Sequence, residues 1–354
     1  MSTWPDTRII DLLGIDLPII QAPMAGSTSP QMVIAASQAG ALGSMPAATL
    51  SLEQLRQALS TIRQASARPL NVNFFCHQPP VPAPERDRQW KAMLEPYYRE
   101  LGADFDAPTP VSNRAPFDTA SCEVVEEFRP EVVSFHFGLP EKALLDRVKA
   151  TGAKVLSSAT TVEEAIWLEQ HSCDAIIAMG YEAGGHRGMF LSNRLTSQIG
   201  TMALVPQIVD AVSVPVIAAG GIGDARGMVA AFALGASAVQ IGTAYLFTPE
   251  ATITPAHHQA LHSAQASETA LTNLFTGRPA RGIVNRVMRE LGPINPAAPA
   301  FPLAGGALMP LRALDEADFS SLWAGQALRL GQDLSTRELT LNLARQALAQ
   351  LNKR

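Results

Sequence analysis

Two histidines and two glycine-rich turns are the residues of this chain whose types and spacing invite chemistry. His186 stands in "YEAGGHRG" (181–188), directly after Gly184 and Gly185 and at the end of the apolar run "CDAIIAMG". Adjacent glycines cost backbone entropy on folding, so a pair beside a reactive side chain asks for a reason. The reading here is that they clear room for backbone to lie against a flat ligand while the imidazole points at its edge. An imidazole titrates near neutrality and serves as acid, base or anion partner. His136, between Phe135 and Phe137 in "SFHFG" (134–138), is a second candidate, with a satisfied structural histidine as its alternative. The turns "AGGIGDARG" (219–227) and "QIGT" (240–243) bring Gly220, Gly221, Gly242 and Thr243, with Asp224 placed as an N-cap. Such turns aim backbone N–H groups at an anion near a helix start. Two of them on neighbouring strands point to a phosphate.

Other chemistries are argued against by what the chain lacks. It has no GxxxxGK[ST] loop, and "GGIGDARG" lacks the position and the later acidic partner of a dinucleotide fingerprint. A mononucleotide phosphate such as that of FMN fits better. No GxSxG elbow occurs, and Cys76, Cys122 and Cys173 have no Lys or Arg beside them in sequence. The five lysines, Lys91, Lys142, Lys149, Lys154 and Lys353, lie away from strand ends, against Schiff-base chemistry. His77, His171, His257, His258 and His262 read as loop or surface residues. His257 and His258 are adjacent, the wrong spacing for two ligands on one helix face, so no metal is expected. The chemistry is left to a bound cofactor.

The elements that must position these residues are legible as a rhythm. Eight β-rich runs recur at 17–23, 40–46, 70–75, 131–137, 153–159, 174–180, 214–221 and 237–247. Amphipathic segments at 30–39, 51–66, 140–150, 161–170, 200–212 and 223–234 fall between them. Continuous apolar strands alternating with helices imply a parallel sheet buried on both faces. Eight units imply a closed (β/α)8 barrel, with an open doubly wound sheet as the alternative. Active sites of such barrels form at the C-terminal strand ends, where the unusual residues sit. Two stretches break the rhythm. The Pro-rich excursion 76–117 reads as a lid, and 249–318 as a smaller, mainly helical domain covering the barrel mouth. The barrel itself is expected over 1–248 and 319–354.

Composition narrows the class. The 354 residues are 47% hydrophobic and 17% charged, with a net charge of -5 and no basic cluster, against a nucleic-acid binder. The most apolar region, 214–247, is broken by Gly and Pro and carries Asp224 and Arg226, so no membrane span is expected. No secretory signal is read at "MSTWPDTRII", and three widely spaced cysteines suit buried thiols in a reducing cytoplasm. If the chain assembles, a homodimer is the expected form.

Four segments taken together resemble the signatures of the class I nitronate monooxygenases, formerly called 2-nitropropane dioxygenases. They are "QAPMAGSTS" (21–29), "NVNFFCHQPP" (71–80), "SFHFG" (134–138) and "GYEAGGHRG" (180–188). The resemblance runs on through "AAGGIGDARG", "VQIGTAYLFTPE" and "SLWAGQA". It implies an FMN-containing barrel that oxidises alkyl nitronates, typically propionate 3-nitronate, with dioxygen to a carbonyl compound plus nitrite or nitrate. Asn73, Gly184, Gly221, Gln240, Ile241, Gly242 and Thr243 would contact FMN, with Gly185 and Gly220 in the same glycine turns. Met24 would lie near the flavin ring. His186 would be the active-site histidine and His136 a second histidine of the pocket. The family usually carries Gln where this chain has Met179, and a thioether cannot donate a hydrogen bond, so Met179 would touch FMN through packing or backbone only. Wider relatives sharing the barrel make an NAD(P)H-dependent flavin reductase, acting on quinones or enoyl thioesters, the alternative function.

Overall fold

Eleven strands are formed among the described residues, in chain order β1 (Ile19–Gln21), β2 (Gly43–Pro46), β3 (Leu70–Phe75), β4 (Val132–His136), β5 (Lys154–Ala159), β6 (Ala175–Met179), β7 (Gly185–His186), β8 (Val216–Ala219), β9 (Ala238–Ile241), β10 (Thr269–Thr272) and β11 (Ala280–Ile283). The computed structural model describes residues 4–111, 114–263 and 267–353. The parts of the two expected excursions and of the barrel ends at 1–3, 112–113, 264–266 and 354 lie outside the described residues.

Eight strands form one parallel sheet in the order β1-β9-β8-β6-β5-β4-β3-β2. Its ends meet through Leu42, whose N–H donates to Ile19 O at 2.9 Å and whose carbonyl accepts from Gln21 N at 3.0 Å. The sheet is therefore closed, a (β/α)8 barrel rather than an open doubly wound sheet. Period-2 alternation sorts the side chains. Ile20, Leu156, Ile177 and Ile217 fill the interior above Ile9 and Leu13 of the helix Arg8–Leu13, which plugs the barrel floor. Ile19, Val133, Val155, Ile176 and Val239 face the helices. The six amphipathic segments are helices within one to two residues of their expected bounds. The last helix, Thr336–Leu351, packs between Pro30–Gln38 and Ala225–Ala233 and so closes the outer ring; Tyr245 Oη and Thr340 Oγ1, 2.8 Å apart, pin it.

Three expectations are corrected. The eighth run does not stay extended to 247. β9 ends at Ile241, Gly242 takes a right-handed turn conformation (φ -109, ψ -77), and Thr243–Phe247 is a 3-10 helix. The excursion 76–117 is not all loop, because Pro84–Leu101 is an 18-residue helix started by Pro84 in its first turn. Its buried stripe Trp90, Leu94, Tyr97 and Tyr98 follows helical spacing. Region 249–318 contains helices but also the β10–β11 hairpin, and β7 adds to it as a third antiparallel strand.

A second hydrophobic core joins the two excursions. Trp90, Leu94 and Tyr98 pack with Leu274, Phe275, Val287, Leu308, Leu311 and Phe319. Trp90 Nε1 donates to Ala304 O at 2.9 Å, and Tyr98 Oη to Ala307 O at 2.6 Å. We propose 249–318 as the smaller domain, with the helix Pro84–Leu101 sharing its core. Trp90 is 1% exposed, so Trp90→Ala is expected to cost about 3–5 kcal/mol, read as a lowered midpoint in urea denaturation.

Candidate functional site

Strand ends and their loops enclose one cleft at the C-terminal mouth of the barrel, with roughly 1340 Å³ of atom-free space counting its open side. Met24, Asn73, His136, Met179, Gly184, Gly185, His186, Gly220, Gly221, Gln240, Gly242 and Thr243 all line it. Ile241 does not. The alternation of β9 turns Gln240 inward and Ile241 outward, where it is fully buried against the helices. Any contact it makes with a ligand in the cleft is through backbone.

His186 is placed by a strand pairing rather than by its own loop. β7 pairs antiparallel with β11, His186 opposite Ala280 and Gly185 opposite Arg281, and Arg187 N donates to Pro279 O at 2.9 Å. The glycine pair has a reason other than room for a ligand. A Cβ on Gly184 would lie 2.6 Å from Gly325 N and 2.7 Å from Ala324 C, so the missing side chain lets two backbones touch. Gly185 sits at φ +71, the left-handed region.

The imidazole of His186 is ringed by Phe75, Phe137, Phe301 and Trp323, at centroid distances of 5.3–6.0 Å. Its Nε2 is 2.9 Å from Thr276 Oγ1. The Thr276 hydroxyl is itself 3.4 Å from Arg278 O, which can only accept. At 2.9 Å the His186–Thr276 pair forms a hydrogen bond in which Nε2 either donates to the hydroxyl or accepts from it, and among the described residues Nδ1 has no partner. Burial, then the nearby Arg114 guanidinium, holds this imidazole well below its ordinary value, so it is neutral at pH 7.

His136 is committed on both nitrogens. Nε2 is 3.0 Å from the backbone carbonyl of His186, which fixes the hydrogen on Nε2, and Nδ1 is 3.1 Å from Ser158 Oγ. Burial pushes it down to about 4. Both nitrogens are thus engaged, and the Nε2 bond orients the His186 backbone. Arg187, the other half of the "HR" pair, turns away from the cleft and is 1% exposed. It donates to the carbonyls of Gly180 (2.6 Å) and Met179 (2.7 Å) and to Gln198 Oε1 (2.8 Å). This cation locks the end of β6, where Met179 contributes its carbonyl.

The phosphate reading is modified in one respect. The first amides of the helix Ala225–Ala233 are already met, because Asp224 Oδ1 accepts from Arg226 N (2.9 Å) and Gly227 N (3.4 Å). What remains is the turn itself. Among the described residues no acceptor meets the N–H groups of Gly221, Ile222 or Thr243. Gly220 and Gly221, at φ +107 and +72, hold their turn in a conformation that L side chains resist. Thr243 Oγ1 accepts from Gly325 N at 2.9 Å, which leaves its hydroxyl hydrogen available. On β9, beside Ala219, the buried Gln240 Oε1 has no partner. Unmet amides suit the phosphate of FMN, and the orphaned Gln240 Oε1 suits a hydrogen-bond donor on the same group.

Three cleft residues escaped the sequence reading. Arg114, from the first excursion, lines the wall. Glu182 also lines it, its carboxylate bound to Thr201 N (2.8 Å) and Oγ1 (2.8 Å) at the start of the helix Thr201–Ala211. Trp323 arrives from the segment before the last helix. A half-buried cap from another loop and two long-range arrivals leave no local signal. The thiols of Cys76, Cys122 and Cys173 are pushed up by burial, in keeping with inert cysteines. The expectation of no metal rested on His257 beside His258, and the structure separates those two. His257 is buried, with Nε2 3.1 Å from Trp323 O, whereas exposed His258 lies near His262 and Asp333.

His77, His136 and His257 are each pushed down to about 4 by burial, and His186 lies well below its ordinary value. The unfolded chain, with imidazoles near 6.5, binds these protons first as pH falls. Stability is therefore expected to be full above about pH 6.5 and to drop between pH 6.5 and 4, by up to roughly 1.4 kcal/mol per pH unit for each histidine. Urea midpoints measured from pH 4 to 8 check this, and a flat profile would contradict the burial argument.

Comparison with known proteins agrees with this geometry. The family model described as Nitronate monooxygenase matches residues 6–346. A nitronate monooxygenase of Pseudomonas aeruginosa is 42% identical, over 95% of this chain and 97% of its own. One from Paraburkholderia phytofirmans is 38% identical, over 96% and 94%. Among solved structures, a nitroalkane oxidase from Streptomyces ansochromogenes superposes with a TM-score of 0.88 at 35% identity, covering 98% of this chain and 99% of that one. FabK from Thermotoga maritima gives 0.73 at 27%, over 99% and 98%.

Proposed function

The chain belongs to the nitronate monooxygenase family, and from that premise we propose that it is an FMN enzyme oxidising alkyl nitronates with O2 to a carbonyl compound plus nitrite or nitrate. The observation that carries the reading is a neutral imidazole, His186, sharing one cleft with two turns of unpartnered amides. Gly221, Ile222 and Thr243 would hold the phosphate through N–H groups, and Gln240 Oε1 would accept from a donor on the bound group. When bound, FMN supplies the electron acceptor that no side chain here provides.

The remaining work falls to the chain's own residues. A nitronate is already a carbanion equivalent, so binding it needs no strong base. His186 is neutral with Nδ1 unpartnered: with its hydrogen on Nδ1 it would donate to a nitronate oxygen, and with its hydrogen on Nε2 the Nδ1 lone pair would take the α-proton of a neutral nitroalkane. An anion docked beside it raises the imidazole's proton affinity, so partner and substrate reinforce each other. His136 keeps the His186 carbonyl in place, which aims the ring. Phe75, Phe137, Phe301 and Trp323 exclude water around it. Arg114 adds a positive charge on the cleft wall for a carboxylate-bearing nitronate. Among the described residues no helix is long and apolar enough to cross a membrane.

Oxygen consumption with propionate 3-nitronate, on protein that purifies yellow, tests the reading; colourless protein with no uptake would overturn it. His186→Asn is expected to reduce turnover of neutral nitroalkanes by about 10²–10⁴-fold and of preformed nitronates by much less. Equal losses on both would remove the base role. Arg114→Met is expected to raise KM for propionate 3-nitronate about tenfold while leaving KM for an uncharged alkyl nitronate nearly unchanged. The likeness to FabK supports a second reading as an NAD(P)H-dependent reductase. Anaerobic mixing with NADH separates the two, since rapid flavin bleaching would favour the reductase.

A further inference from the structure

Away from the cleft, three side chains of metal-ligand type meet where the smaller domain touches the C-terminal segment. His258 and His262 lie four residues apart in the helix Pro255–His262, so they share one face. Their rings stack at 4.4 Å between centroids, with planes 30° apart. Asp333 comes from the segment between the 3-10 turn Leu328–Leu330 and the helix Thr336–Leu351. One ligand atom from each of the three lies within 4.8 Å of the others. A tetrahedral ion with bonds of 2.0–2.2 Å holds its ligand atoms about 3.4 Å apart, so side-chain rotation alone would bring them onto one ion.

The hydrogen bonds of His262 make the case sharper. Its Nδ1 is 2.9 Å from His258 O; a carbonyl only accepts, so Nδ1 carries a hydrogen. Its Nε2 is 2.9 Å from Asp333 Oδ1, and a carboxylate oxygen also only accepts. A lone pair and a carboxylate at 2.9 Å share a proton, which an ion holding them about 3.4 Å apart would displace. An Nδ1–H held by a backbone carbonyl is the arrangement that orients imidazole ligands. The edge of Phe247, 5.1 Å from the His262 ring, restrains it further. The negative end of the helix dipole favours positive charge at this end. The side chains of His262 and Asp333 are 35% and 70% exposed, so an ion reaches them from solvent.

We propose that His258, His262 and Asp333 form a site for a transition-metal dication of the Zn2+ class, which staples the helix Pro255–His262 to the segment leading into Thr336–Leu351. Two imidazoles and one carboxylate select Zn2+, Ni2+ or Cu2+ over Mg2+ and Ca2+, with water completing the coordination. None of the three residues lines the cleft around His186, and the site does not depend on the flavin reading.

The test is calorimetric titration of the full-length, tag-free, chelator-stripped protein with ZnCl2, with MgCl2 as control. Wild type is expected to bind Zn2+ far more tightly than Mg2+ and to gain Tm with Zn2+. His258→Ala and Asp333→Asn, both at exposed positions, are each expected to weaken Zn2+ binding by about tenfold or more and to lose the Tm gain, with unchanged circular dichroism. His262→Gln, which keeps bulk against Phe247, is expected to do the same. Wild type that binds Zn2+ no more tightly than Mg2+, or variants that keep wild-type Zn2+ affinity, would overturn the proposal.

Discussion

Everything at the mouth of the barrel depends on a two-residue strand pairing. β7 is only Gly185 and His186, yet it is the seam at which the barrel's sixth loop becomes the third strand of a sheet whose other two strands lie beyond residue 268. Backbone hydrogen bonds to β11 fix where the His186 Cα stands. The His136 imidazole, bonded to the His186 carbonyl, fixes how that peptide is turned. Thr276, from the loop between β10 and β11, then fixes the ring. The histidine is thus held by three parts of the chain that meet only when barrel and second core are both assembled. Gly184 belongs to this seam, since a side chain there would push Ala324 and Gly325 away.

Electrostatics follow from the same packing. Aromatic rings around His186 remove water, which costs the charged imidazole more than the neutral one. The cations nearby, Arg114 and Arg278, act in the same direction. The site therefore disfavours protonation of His186. Behind it, Arg187 is buried without a carboxylate partner and is satisfied by carbonyls and an amide. Burial lowers it only to about 10, so it remains charged at neutral pH. A fixed charge there makes the end of β6 rigid, and Met179 takes part through its carbonyl, a role that a change of side chain leaves intact.

Much was legible because local chemistry and global fold agree. The eight strands announce themselves as apolar runs between turn residues, and the helices between them by their spacing, so barrel class and loop positions could be read directly. The excursion helix Pro84–Leu101 was equally legible in its Trp90–Leu94–Tyr97–Tyr98 stripe but was masked by the prolines around it. Ile241 was carried over with its neighbours although the strand period points it outward. Trp323 and Arg114 give no local signal at all, since their relevance arises from distant parts of the chain converging.

What the sequence by itself determined is therefore the architecture and the inventory: a parallel barrel, glycine turns after its last two strands, and histidines at strand ends. Those are set by hydrophobic period and backbone freedom, which act over a few residues. Only the tertiary structure decided which histidine keeps a free nitrogen and which spends both on its neighbours. It also decided which turn amides stay unpaired, and that His258 meets Asp333 instead of His257. These outcomes depend on groups far apart in the chain arriving within hydrogen-bonding distance, and on water leaving between them, neither of which spacing along a sequence encodes.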